Sequence, residues 1–214
     1  LATAAVAGLL AGLLFALFAV ARRADPILVG TVWNLLALGA TAFAYRLGAG
    51  ETGSVLEVAV LPRGVLGLPD VVAASLLAPL LLHVWLTRTR AGLRLSAAGE
   101  NPEALRSLGL SVVAVRSGAA AASGVFGALG GAVLVLTVSP TFVEGVTAGR
   151  GFLALALVVF ARWRPLALLP AALLLGGVTA LQYRLQAEGF GLPYALFLAL
   201  PGLVALAAPA LASA

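Results

Sequence analysis

The sequence predicts an all-α fold, a polytopic transmembrane helix bundle of about seven spans, and three observations carry that prediction. Of the 214 residues, 62% are hydrophobic and 10% charged, whereas a soluble domain of average composition carries roughly a quarter charged residues. Mean hydropathy is +1.12. Apolar runs recur at close to the roughly 20 residues that one helical crossing of a bilayer needs. The runs are continuous and rich in Leu and Ala, without the polar/apolar alternation of barrel strands. In lipid such a backbone can satisfy its hydrogen bonds only within its own helix.

Taken in order, residues 1–21 form the first span and stop at Arg22-Arg23. Residues 26–46 form the second, opening on Pro26, whose fixed φ suits the first helical position. A Gly-, Pro- and acid-bearing loop, 48–70, leads to a short third span, 71–87, holding Pro79 and His83. The longest polar loop is 88–111, and a Gly-rich fourth span, 112–139, ends at Ser139-Pro140. The fifth segment, 146–163, is strongly apolar only over 152–161 and is taken as a full crossing; 166–184 and 192–208 complete the set. Residues 1–214 thus read as a single transmembrane domain with no soluble part. The chain begins at Leu1 and contains no methionine, so an N-terminal portion is expected to be missing. Leu1–Val20 resembles a signal peptide in hydrophobicity, but its length and the Arg22-Arg23 stop favour a true span.

The net charge is +5, and all thirteen basic residues are arginine. On a soluble protein this excess would suggest nucleic acid. Here the arginines lie between apolar runs and act as topology signals, so membrane lipid and not nucleic acid is the expected environment. With the 88–111 loop in the cytoplasm, Arg22, Arg23, Arg88, Arg90, Arg94, Arg106, Arg162 and Arg164 fall inside. Arg63, Arg150 and Arg184 fall outside, while Arg46 and Arg116 sit in span ends. Eight against three satisfies the positive-inside rule, leaving Leu1 outside and the C-terminus inside. Absence of lysine excludes a standard P-loop. A single His and no Cys exclude clustered Cys/His zinc sites. No cofactor is expected, and neither paired carboxylates nor a nucleophile–base arrangement points to an enzyme.

The most specific segment is Arg90–Leu110. Asn101 can cap a helix, Pro102 fits its first position, and Glu103 suits the positive end of the dipole. Gly109 can close the helix in the left-handed conformation. Ala104, Leu105 and Leu108 make one apolar face, with Glu103, Arg106 and Ser107 facing elsewhere. Local physics leaves two readings open: a helix lying on the membrane surface, or a docking element for a cytoplasmic partner.

Four stretches carry a family resemblance. They are Gly92-Leu-Arg-Leu with Gly99-Glu-Asn-Pro-Glu-Ala and Gly109; Glu144-Gly-Val-Thr-Ala-Gly-Arg-Gly-Phe-Leu-Ala-Leu-Ala; Val158-Val-Phe-Ala-Arg-Trp-Arg-Pro165; and Pro26-Ile-Leu-Val-Gly-Thr-Val-Trp-Asn-Leu-Leu-Ala-Leu-Gly39. In order along the chain, they resemble the ABC importer permeases of the simple-sugar and nucleoside type, related to the ribose and branched-chain amino-acid permeases. Ala161 stands where that group often has Gly, and Asp25-Pro26 replaces its usual polar pair. The resemblance implies a multi-pass subunit of the cytoplasmic (inner) membrane that is shorter than the family norm. The implied partners are a cytoplasmic ABC ATPase, a second permease subunit that is a different, paralogous chain, and an extracytoplasmic substrate-binding protein, often a lipoprotein. It also implies that Gly99, Glu100, Asn101, Pro102, Glu103, Ala104 and Gly109 couple the bundle to the ATPase.

Polar residues within spans are costly and often functional. Thr31, Trp33 and Asn34 lie mid-span, where an amide and an indole suit hydrogen bonding and stacking against a sugar or base. Glu144, Thr147 and Arg150 lie in a Gly-rich segment that could break a helix along the substrate path. The alternatives are an interhelical hydrogen bond for Asn34 and a plain turn at 147–151. Gln182 is expected at an interface and His83 in packing. The pairs Gly8/Gly12 and Gly127/Gly131 are expected to let helices approach closely. Two rival functions stay open, an ion-driven secondary transporter and a non-transporting membrane scaffold.

Overall fold

The computed structural model describes residues 1–49, 56–57, 69–137, 141–142 and 145–188. The predicted span at 192–208, Ser139-Pro140 and Glu144 lie outside the described residues. The fold is all-α. Helix α1 (Ala2–Ala16) continues into a π-helical turn, Leu17–Ala21. Then come α2 (Pro26–Ala49), α3 (Asp70–Arg88), α4 (Arg90–Glu100), α5 (Pro102–Ser107), α6 (Val112–Thr137), α7 (Arg150–Phe160) and α8 (Pro165–Glu188). Among the described residues, β1 (Leu56–Glu57) pairs with β2 (Thr141–Phe142) in antiparallel register.

Five of the described helices are long and apolar enough to cross a membrane: Ala2–Ala21, Pro26–Gly48, Asp70–Arg88, Val112–Thr137 and Pro165–Ala187. Each coincides with a sequence-predicted span. The fifth predicted crossing, 146–163, does not: its helix α7 has 11 residues. At 1.5 Å per residue that is about 16 Å, roughly half the hydrocarbon thickness. Turns at 145–149 consume the remainder, and Gly145 and Gly149 hold positive φ there. The sidedness of Arg162 and Arg164 therefore does not follow from counting α7 as a crossing. A second correction concerns 90–100, predicted as loop but folded as α4. Its two glycines lower helix propensity, yet Thr89 caps it by accepting the Gly92 N–H at 3.0 Å.

The chain divides into two compact units. One comprises Leu1–Ala73 and Trp85–Thr147, the other Ala74–Val84 and the residues from Ala148 onward. In the first, α1 and α6 pack along most of their length in antiparallel register, with Gly8 against Gly124 and Ala128, and Gly12 against Ala120 and Ala121. A Cβ on Gly12 would lie 2.5 Å from the Ala120 carbonyl oxygen, so the backbones touch because no side chain intervenes. Gly8/Gly12 thus does what its spacing predicts. Gly127/Gly131 does not, because a Cβ on either would meet nothing within 4 Å; Gly124, three residues before the predicted pair, makes the contact.

Burial follows the same logic. The buried apolar residues are mainly small: Ala16, Ala98, Ala121, Ala161 and Ala171, with Leu105 and Val112. Leucines and phenylalanines such as Leu28, Leu81 and Phe126 face outward. In lipid there is no hydrophobic gain from hiding leucine, and close approach of small residues drives association instead. In the second unit α7 and α8 form a hairpin whose turn holds Arg162 and Trp163 at φ +51° and +60°. Gln182, expected at an interface, is buried on α8.

Candidate functional site

The segment 89–116 is a polar knot at one end of the α1–α6 pair. Asn101 separates α4 from α5, and its side-chain oxygen accepts the Ala104 N–H at 3.2 Å, with Pro102 at the first helical position. Glu103 forms an ion pair with Arg106 one turn later. At the other end, Gly109 has φ +73°. Its N–H donates to the Arg106 carbonyl at 2.9 Å, and the Leu110 N–H donates to that of Leu105 at 3.1 Å. These are the paired bonds of a Schellman motif, which satisfy carbonyls that a helix end leaves open. Both predicted ends of α5 are therefore as read. Gly99 and Glu100, however, belong to the last turn of α4.

Side-chain packing fixes this short helix in place. Leu105 is 2% exposed and packs with Ala98 and Val112, with Ala97, Leu110 and Val115 around them. The predicted apolar face of Ala104, Leu105 and Leu108 is only partly right. Leu105 alone turns inward, Ala104 is exposed, and Leu108 is 74% exposed. Six residues make less than two turns, so one side chain anchors the helix and the rest of its surface stays outward. Arg116 adds a polar tie. Its guanidinium donates to the Ala98 carbonyl, at 2.9 Å from Nη2 and 3.3 Å from Nε. That carbonyl lies in the last turn of α4, where a cation is favourably placed. Sequence reasoning treated Arg116 only as a charge at a span end; the available signal was its position one turn into α6, able to reach back across the loop.

The residues proposed for a substrate path are less concentrated. Thr31 and Asn34, three apart on α2, share a helix face, and both are exposed. The Thr31 hydroxyl donates to the Ile27 carbonyl at 2.9 Å. Asn34 makes no interhelical hydrogen bond among the described residues. Trp33 sits about 100° around the helix from Asn34, so the indole and the amide do not form one surface. Thr147 lies in an exposed turn. Arg150 begins α7, with its Nη2 3.5 Å from the Tyr183 hydroxyl near the C-terminal end of α8. Thr31, Trp33, Asn34 and Thr147 belong to the first unit and Arg150 to the second. Among the described residues no group of His, Cys, Asp and Glu could hold a metal ion.

These features define a polytopic membrane protein with a rigid, doubly capped polar element at one end of its bundle. The chain belongs to the family described as the branched-chain amino acid transport system permease component, which matches residues 1–209. It is 37% identical over 193 residues to a guanosine ABC transporter permease protein, NupQ, of Bacillus subtilis, covering 82% of this chain and 60% of that protein. It is 34% identical to a nucleoside ABC transporter permease protein, NupC, of Lactococcus lactis, covering 83% of this chain and 60% of the relative. A putative glucose ABC transporter permease protein of Haloferax volcanii is also 34% identical, covering 83% of this chain and 58% of its own length. The chain thus spans about three fifths of these curated relatives. No solved structure matches it significantly.

Proposed function

We propose that this chain is the membrane-spanning permease part of an ATP-binding-cassette importer that carries a nucleoside or simple sugar across the cytoplasmic membrane. One observation carries the reading: α5, capped at both ends, is fastened to the spanning helix α6 through Leu105, and α4 before it through the Arg116–Ala98 tie. The family and the nucleoside permease relatives support the same assignment. In this reading 88–111 is the cytoplasmic coupling segment of one permease domain. Gly99, Glu100, Asn101, Pro102, Glu103, Ala104 and Gly109 shape the face that a separate ATPase grips. The exposed Leu108 and Leu93 add apolar contact area.

The mechanics follow from the packing. A two-state bundle shifts only when a partner contacts its two states differently. Helix α5, held by its one buried leucine, and α4, tied by the charge-assisted bond from Arg116 to Ala98, move together with α6. Contact between Gly8, Gly12 and Gly124 then carries α1 along. The residues proposed for the substrate path, Thr31, Trp33, Asn34, Glu144, Thr147 and Arg150, rest on residue type and the family likeness, not on a shared site. A second permease chain and an extracytoplasmic binding protein complete the assembly. ATP hydrolysis belongs to the partner, and catalysis by this chain is not proposed.

The test is co-purification of the protein with a cytoplasmic ABC ATPase of the same organism, combined with uptake of radiolabelled nucleoside. Glu100→Ala and Asn101→Ala are expected to weaken ATPase capture and uptake together. Retained capture and uptake in both variants, or uptake driven by a proton or sodium gradient without ATP, would overturn the reading.

A further inference from the structure

Beside the coupling element lies a cavity of about 650 Å³ that the transport reading does not use. Its wall contains three guanidinium groups from three different segments: Arg23 after the π turn of α1, Arg106 on α5, and Arg116 on α6. Apolar groups complete it, among them Phe15, Val20 and Val113. The volume falls within the roughly 300–1,000 Å³ usual for small-ligand sites.

The charge in this wall is unbalanced. Arg106 is paired with Glu103, an exposed ion pair of the kind worth about 0–1 kcal/mol. Arg116 is held by a neutral carbonyl, which supplies no opposite charge. Arg23 has no side-chain partner among the described residues, and its left-handed backbone, φ +54°, follows directly on the π turn. That turn closes through the Arg22 N–H to the Leu17 carbonyl at 3.0 Å. A free anion would match the guanidinium groups but leave the apolar wall wet. An acidic protein segment would match the charge and not the continuity with the ends of two membrane spans. A ligand with an anionic head and a hydrocarbon tail matches both, and basic pockets between spans at a membrane surface hold such headgroups.

We infer that this cavity binds an anionic phospholipid, its phosphate held between Arg23, Arg106 and Arg116 and its acyl chain against Phe15 and Val20. The site rests on membrane placement alone and does not require an ATPase to dock. A lipid there would bridge α1, α5 and α6, so its presence would stiffen the same joint that Leu105 anchors.

The test is native mass spectrometry of the full chain in neutral detergent. It is titrated separately with phosphatidylglycerol, with phosphatidylcholine of the same acyl chains, and with glycerol phosphate as the soluble headgroup. Phosphatidylglycerol is expected to bind at least about fivefold more tightly than phosphatidylcholine, and Arg23→Gln is expected to remove roughly that factor, the worth of one arginine at an anionic surface. Arg22→Gln removes the same charge one residue away but off the cavity wall, and is expected to leave phosphatidylglycerol binding clearly tighter than Arg23→Gln does. Circular dichroism of both variants checks that helicity is unchanged. Equal losses in the two variants would reduce the effect to diffuse surface charge and overturn the site. So would phosphatidylcholine binding as tightly as phosphatidylglycerol. Glycerol phosphate binding as tightly as the intact lipid would show an anion site and overturn the lipid assignment.

Discussion

Replacing Leu105 with alanine isolates the joint between α5 and the bundle. Leu105 is 2% exposed and is the largest side chain buried to that degree among the described residues. Its neighbours Ala98 and Val112 are too small to close over the space it would leave. A helix of six residues has no stability of its own, so the docked state depends on this contact. Burial of a leucine side chain contributes about 1.5–3 kcal/mol. Few other buried groups lie on α5, so the loss falls on local undocking and not on the whole bundle. The undocked population should then rise roughly 10- to 150-fold. Hydrogen exchange read by mass spectrometry measures this directly. The Gly109 and Leu110 amides, bonded to the Arg106 and Leu105 carbonyls, should exchange faster by that factor. Amides of α6 around Gly124, packed against α1, should stay unchanged and serve as reference. Unaltered exchange at Gly109 and Leu110 would refute the anchoring role. An equal acceleration around Gly124 would show that α5 is not a separate unit.

Three further outcomes are expected. Gly12→Ala should lower thermal stability in detergent by about 1–3 kcal/mol through overpacking, because its Cβ would sit 2.5 Å from the Ala120 oxygen; Gly127→Ala, which opens into space, should show no loss in the same melt. Gly109→Ala should cost about 1–2 kcal/mol at φ +73°, read as faster exchange at Leu110, while Gly109→Asn should cost less because Asn tolerates the left-handed region. Asn101→Ala should remove a cap worth about 1 kcal/mol, and Asn101→Asp should restore it, with exchange at Ala104 as the readout.

Legibility in the sequence followed the range of the forces involved. Pro26, Arg22-Arg23 and the length of each apolar run are local signals, and the ends of α1, α2, α3 and α6 lie within a few residues of their predicted positions. Asn101, Pro102 and Gly109 act on amides and carbonyls a few residues away, so the two caps of α5 were readable as well. Helix α4 was missed because Gly92 and Gly99 argue against helix in isolation. Gly92 is needed for contact: a Cβ there would strike the Trp85 carbonyl and the Leu86 backbone. The crossing assigned to 146–163 failed because composition was apolar enough while the turn at 145–149 took up the length.

Composition and helix ends, which depend on solvent and near neighbours, were determined along the chain: a lipid-embedded helical protein with a capped polar insert. Pairings were not. That Gly124 and not Gly127 faces α1, that Leu105 turns inward while Leu108 turns out, and that Arg23, Arg106 and Arg116 share one cavity depend on the rotation and register of helices far apart in sequence. Small residues recur on several faces of these helices, and only the docked backbones select which face is used.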